Sequence, residues 1–436
     1  MFLTAEQLLF KKWQATYLQF EINSCHINAL KCENYSHMKT PMKLKVFTLG
    51  ASTSIMIMAN TMLLPIFPQM RKALDLSLQE ISLMFILVSF PAAFLNPIGG
   101  VLADKLGRKK IVVPSIFLYG IAGGLAGVAL LVLDDPFNTV LVLRVLQGVG
   151  SATPMYLAVA LAGDIFQSQE RTQAMGFLEM ANGLGKLLSP IIGGLVGMIA
   201  FYAPFFVYPL ISIPVGILFW LTIKEPPLKE EVSLGSEVSS LKELKNVSNI
   251  LALLASFASI FFLFGTMFWV SEFIDQSIPD GTIVHGLVIA IPVAALVLTA
   301  YFAPRFTTKI GPRITLFAGL LIAGVSLVLI PLIYTTLFVW PNLVLLGFSA
   351  GLLLPVLDTV ASAISSRGHR GIITTIFGSF RCLGAAAAPF IIASLLHISI
   401  LVTFLPIAAL VFVLGFAIFF LVNEEKLLPP ELKEEE

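Results

Sequence analysis

The chain has 436 residues, 57% of them hydrophobic and 12% charged, with a mean hydropathy of +0.92. A soluble globular chain carries about a quarter charged residues. This composition therefore excludes a secreted disulfide scaffold, a nucleic-acid binder with a basic face and a soluble enzyme on a single anchor. At about 20 apolar residues per helical crossing, it fits an all-α integral membrane protein with about a dozen transmembrane helices. Continuous apolar runs, rather than alternation over strand-length segments, select helices over a barrel. The 27 Lys and Arg residues balance 26 Asp and Glu to a net charge of +1, which by itself says nothing about partners; with this composition no nucleic-acid partner is expected.

Residues 1–41 read as an N-terminal cytoplasmic extension, polar and mixed in charge, without the continuous apolar core of a signal peptide over residues 1–37. It is expected to be disordered or to precede the natural start. Its Cys25, His26, Cys32 and His37 fit no common zinc spacing, so no metal is expected; with Cys382, the three cysteines imply no disulfide framework.

Six spans follow at 46–67, 81–103, 111–133, 139–163, 173–199 and 201–223, forming an N-terminal six-helix bundle over 42–223. The Pro-containing, charged, Ser-rich stretch 224–246 is a cytoplasmic linker. Six more spans, at 248–272, 284–304, 314–336, 340–364, 371–396 and 398–422, form a C-terminal bundle over 247–424. Residues 425–436 are an acidic cytoplasmic tail.

Cations fix the orientation. With both termini cytoplasmic, the loops holding Lys105, Arg108, Lys109, Lys110, Arg171, Lys309, Arg313, Arg367 and Arg370 face inward, and the outer loops keep Arg71 and Lys72. The halves also echo one another: Arg171, Gly185 and Pro190 match Arg370, Gly384 and Pro389, Gly150 and Pro154 match Gly351 and Pro355, and Lys105 and Gly107 match Lys309 and Gly311. A parallel duplication related by pseudo-two-fold symmetry follows, with the solute path between the halves.

Three motifs carry a family resemblance. The loop GVLADKLGRKK holds Gly100, Asp104, Gly107, Arg108 and Lys109 at the positions of a signature loop. In span four, LRVLQGVGSA holds Arg144, Gln147, Gly148 and Gly150. In span five, GKLLSPIIGG holds Gly185, Pro190, Gly193 and Gly194, with Ser189 in place of a glycine and Lys186 as a larger departure. Together with LLPIFP at the end of span one, these resemble the major facilitator superfamily, and within it the twelve-span drug:proton antiporters. The second loop, PRFTTKIGPR, resembles a decayed copy with Thr308 in place of the acid. The resemblance implies two rocking bundles, export in exchange for protons, no cofactor beyond the proton gradient, and a monomer in the cell membrane. It also implies that Asp104, Arg108 and Asp164 latch the cytoplasmic gate.

Five charged residues lie in mid-span: Arg144, Glu179, Lys186, Asp358 and Arg381. Such charges are costly in a bilayer and normally face a cavity or a partner. Glu179, Asn182, Lys186 and Ser189 follow at helical spacing and make one polar stripe on span five. Glu179 and Asp358 are the candidate proton carriers, with Asp358 preferred because its own helix offers it no cation three or four residues away. Arg144, Lys186 and Arg381 either receive an anionic or catecholate-bearing solute or are neutralised by the two acids and by carbonyls. The six aromatic residues of span seven, Phe257 to Trp269, read as packing or lipid-facing residues. Two readings thus stand: an exporter of lipophilic, drug-like solutes, or a dedicated exporter of one anionic metabolite or siderophore. A membrane-embedded enzyme or receptor is the less favoured alternative from a different class: an enzyme would show a Ser/His/Asp, metal or phosphate-binding constellation, and a receptor an added soluble signalling module.

Overall fold

The computed structural model describes residues 40–166, 168–225, 245–277, 281–364 and 370–423. Most of the expected extension over 1–41, most of the central linker and the acidic tail lie outside the described residues, while Thr40 and Pro41 already belong to the first helix. Helices occupy the twelve expected spans, arranged as two six-helix bundles. Eleven helical units among the described residues are long and apolar enough to cross a membrane. The twelfth is span five, a 30-residue helix from Ser168 to Gly197 whose polar stripe and glycines lower its mean hydropathy.

Proline decides where the spans bend. Span one runs as a helix over Thr40–Thr61, then a 3₁₀ turn over Leu64–Ile66 and a short helix over Phe67–Ala73. Pro65 lacks the N–H that the Thr61 carbonyl needs, so the α-helix cannot continue. Span four breaks in the same way, into Phe137–Ser151 and Pro154–Ile165. Its counterpart in span ten, Pro355, leaves Val339–Ile364 continuous, so the repeat differs there. Spans two and eight run past their expected ends, over Leu78–Leu106 and Thr282–Ile310. Each stops on a positive-φ glycine, Gly107 at 106° and Gly311 at 84°, a conformation that favours glycine. The two glycines donate equivalent bonds, from Gly107 to the Ala103 carbonyl and from Gly311 to the Thr307 carbonyl, both at 2.9 Å.

The inferred duplication is equally visible in packing. A Cβ on Gly185 of span five would lie 3.0 Å from Ser54 of span one, and a Cβ on Gly384 of span eleven would lie 2.5 Å from the Phe257 carbonyl of span seven (Val247–Ser277). The same helix pair meets at the same glycine in both halves. Leu210, Trp220, Leu410 and Phe420 stand on the outside of the bundles, where lipid covers them.

The bundles meet along span two against span eleven (Arg370–Leu396) and span five against span eight. Spans five and eight diverge along their length. Gly194 abuts the Thr282 carbonyl; a Cβ on Gly183 would lie 3.5 Å from Val297; and a Cβ on Gly176 would meet nothing within 4 Å. At the tight end, Arg71 and Lys72 bind Glu272 and Asp275 of span seven at 3.0 and 2.8 Å. Phe85 of span two receives Phe67, Phe264 and Phe268 edge-on with centroids 5.3, 6.2 and 6.5 Å away. The span-seven aromatics are thus packing residues: Phe262, Phe268 and Trp269 are buried. Spans five and eight are closed at this end and diverge toward the end that carries the basic loops, while spans two and eleven stay in contact there through Gly100 and Thr375.

Candidate functional site

Helix geometry places the span-five stripe. Met180, Leu184, Leu188 and Leu195 are exposed to lipid. Gly185 and Ser189 face span one, where Thr61 donates to the Ser189 hydroxyl at 2.8 Å. The Pro190 carbonyl meets Gly286 of span eight. Glu179, Asn182 and Lys186 lie between these two contact faces, hence in the seam of the bundles. Gly193 completes the span-one face against Met62.

Asp358 of span ten and Arg381 of span eleven form an ion pair at 2.8 Å, with the Asp358 side chain 59% exposed and that of Arg381 18% exposed. Arg381 also reaches the Leu354 carbonyl at 3.4 Å. Asp358 has no cation on its own helix, as the sequence indicates, but a second helix brings one. Electrostatic neighbours of Lys186 are Glu179, Arg381 and Asp358, so the structure gathers four of the five mid-span charges into one group. Tyr156 of span four stands beside it, its ring against Gly378 of span eleven. From span two, Asn96 donates to the Cys382 thiol at 3.7 Å.

The fifth charge stands apart. Arg144 is completely buried in the first bundle. Its guanidinium donates to the carbonyls of Ala59 and Met84 at 3.2 Å, to Asn60 Oδ1 at 3.2 Å and to Gln147 Oε1 at 2.6 Å. Tyr208 donates to the same Ala59 carbonyl at 2.9 Å. That carbonyl is available because span one unwinds here: Leu63 N–H, its regular helical donor, turns to the Asn60 carbonyl. Every hydrogen bond of Arg144 among the described residues goes to a neutral oxygen, so it fastens spans one, two and four. Gly148 and Gly150 let span four close on its neighbours, with added Cβ atoms 2.9 Å from Val88 Cα and 2.5 Å from Tyr119 N respectively.

At the basic-loop end, Arg108 pairs with Asp164, the last acid of span four. Asp104 lies on the helix of span two, but its side chain is outside the described part, as are those of Arg171 and Arg370. Gly100 faces Thr375 across the seam. Glu225 is a residue that motif reading misses. Its two carboxylate oxygens accept the Arg108 and Lys109 backbone N–H groups at 2.8 and 2.9 Å. An acid just beyond span six, opposite a helix N-terminus, is the available signal.

Two pseudo-symmetric bundles, a charged seam and a basic loop clamp define a multi-pass membrane transport protein. The Major Facilitator Superfamily family model matches residues 49–280 and again 280–436, and the chain belongs to that superfamily. Among curated relatives, the bacillibactin exporter of Bacillus subtilis (strain 168) is 27% identical over 392 residues, covering 87% of this chain and 97% of its own. The bicyclomycin resistance protein homolog of Haemophilus influenzae is 26% identical, covering 80% and 89%. The Staphylococcus aureus quinolone resistance protein NorA is 24% identical over 42% and 46%. Among solved structures, the human organic anion transporter MFSD10 superposes with a TM-score of 0.67 at 18% identity, covering 87% of this chain and all of that one. The nucleoside transporter NupG gives a TM-score of 0.70 at 14% identity, covering 88% and 100%. The chain is therefore a major facilitator transporter for small molecules, embedded in a membrane.

Proposed function

We propose that the transporter exports small lipophilic or drug-like solutes across the cell membrane in exchange for protons, as a monomer with both termini cytoplasmic. The observation that carries this reading is the group of Glu179, Lys186, Asp358 and Arg381 at the seam of two bundles that are pinned at one end and diverge between spans five and eight toward the other. Alternating access needs a site that both halves share, and these residues come from both. The concentration of cations in the loops at the diverging end supports a cytoplasmic position for it. Asp358 carries the proton: ionised, it holds Arg381 within the second bundle, and protonated, it frees the Arg381 guanidinium at the seam, which biases the two bundles toward the other opening. Asp104, Arg108 and Asp164 latch the cytoplasmic gate when it closes.

A second reading, a dedicated exporter of one anionic metabolite or siderophore, is favoured by the near full-length similarity to the bacillibactin exporter. Everted membrane vesicles decide between them. Energised vesicles should accumulate several unrelated lipophilic dyes, which should compete with one another and leak out on adding a protonophore. Uptake of one anionic solute alone would favour the second reading. Dye movement indifferent to the protonophore would refute proton exchange.

A further inference from the structure

The three mid-span cations do not have equal freedom to meet a solute. The guanidinium of Arg144 is spent on neutral oxygens inside the first bundle. Arg381 is held by Asp358. Lys186 is half-buried at the seam; among the described residues its ammonium makes no hydrogen bond or ion pair, and Glu179 and Asp358 act on it only as more distant charges. Glu179 lies seven residues away on the same helix, about 10 Å along the axis at ~1.5 Å per residue, and no bond joins the two. One turn below Lys186, Asn182 is only 7% exposed, and its Oδ1 is buried without a partner. An acceptor left unpaired in this way is costly, and so is a half-buried ammonium that makes no direct bond. Glu179, by contrast, is exposed and needs no ligand to satisfy it.

We propose that Lys186 is the receptor for an anionic oxygen of the transported solute, and that with Asn182 it sets a preference for organic anions over cations. The complementary solute is an aromatic or amphipathic molecule bearing a carboxylate or phenolate next to an O–H or N–H donor. The anion seats on the Lys186 ammonium, and the donor fills Asn182 Oδ1. The stripe lies between spans one and eight, so such a solute touches both bundles. This assignment rests on the export reading and names its solute class.

The test uses the purified full chain and two xanthene dyes of similar size, anionic 5-carboxyfluorescein and cationic rhodamine 6G, with binding read by fluorescence anisotropy. The wild type should bind carboxyfluorescein. Lys186→Met should weaken that binding at least tenfold and leave rhodamine within twofold, Lys186→Arg should restore it to within threefold, and Lys186→Glu should reverse the preference. If Lys186→Met does not fold, the ligand decides instead: salicylate, a carboxylate beside an O–H donor, must displace carboxyfluorescein from the wild type at least tenfold more effectively than its neutral methyl ester. Binding of rhodamine alone or of neither dye, an ester equal to the acid, or a Lys186→Met protein that loses both dyes equally overturns the assignment. Anisotropy needs no gradient. Carboxyfluorescein binding without export in vesicles would therefore refute the export reading and leave Lys186 standing.

Discussion

Arg71, at the end of span one, donates to Glu272 of span seven at 3.0 Å, and this bond crosses from one bundle to the other where they are closed. Lys72 and Asp275 repeat it one turn along at 2.8 Å. Both carboxylates are nearly buried while both cations remain partly open, so each pair contributes about 0.5–1 kcal/mol. Together they bias the closed end by roughly fivefold to thirtyfold at about 1.4 kcal/mol per decade. The double change Glu272→Gln and Asp275→Asn should shift the population toward the opposite opening by that factor. Spin labels at Asp134 and His397, on loops of opposite bundles at this end, should report longer distances; an unchanged distance distribution would show that the pairs do not hold the bundles.

Arg144 is predicted to be a structural fastener. Arg144→Leu takes the guanidinium from the Met84 carbonyl and from the Gln147 and Asn60 side-chain oxygens, and leaves the Ala59 carbonyl with Tyr208 alone, at a cost of roughly 2–5 kcal/mol. Arg144→Lys should recover only part, because an ammonium cannot span these oxygens. Thermal melting in detergent checks this, and a Leu variant that melts with the wild type would contradict it.

Close approach at the paired glycines predicts a matched pair of defects. Gly185→Val and Gly384→Val should each lower folded yield or transport severalfold, since each new side chain meets backbone of span one or span seven. Gly176→Ala should be harmless and gain up to about 1 kcal/mol of helix propensity, for nothing lies within 4 Å of that site. Comparing the three by fluorescence-detected size-exclusion and vesicle uptake provides the control.

Removing the Glu225 carboxylate should loosen the basic loop. Glu225→Ala takes both acceptors from the Arg108 and Lys109 N–H groups, a capping loss of about 0.5–2 kcal/mol. Hydrogen exchange at residues 108–110 should quicken by roughly threefold to thirtyfold, while exchange at Gly311, the equivalent turn of the second bundle, stays constant.

Much of this was legible in the chain because it is encoded in local terms. Apolar runs place the helices, and the span-five stripe and the repeated glycines declare their own faces. Gly107 and Gly311 show this most directly, one shared residue type producing one shared turn. The partners of the charges were not legible, since pairing is set by helices far apart in sequence. Asp358 has no cation on its own helix but meets Arg381, and Arg144 is satisfied by a carbonyl that only the unwinding at Pro65 releases. Arg71 and Lys72, the outer-loop cations, find their acids on span seven, a contact no local pattern displays.

Proton movement itself is the test of the proposal that solute leaves as protons enter through Asp358. The protein is reconstituted in vesicles enclosing a pH-sensitive dye, with an imposed pH gradient and rhodamine 6G or 5-carboxyfluorescein added. Solute should trigger collapse of the gradient in the wild type. Asp358→Asn should reduce that signal at least tenfold while binding solute within threefold of the wild type. Solute flux with no accompanying proton movement, or an Asp358→Asn protein that moves protons at the wild-type rate, would contradict the account.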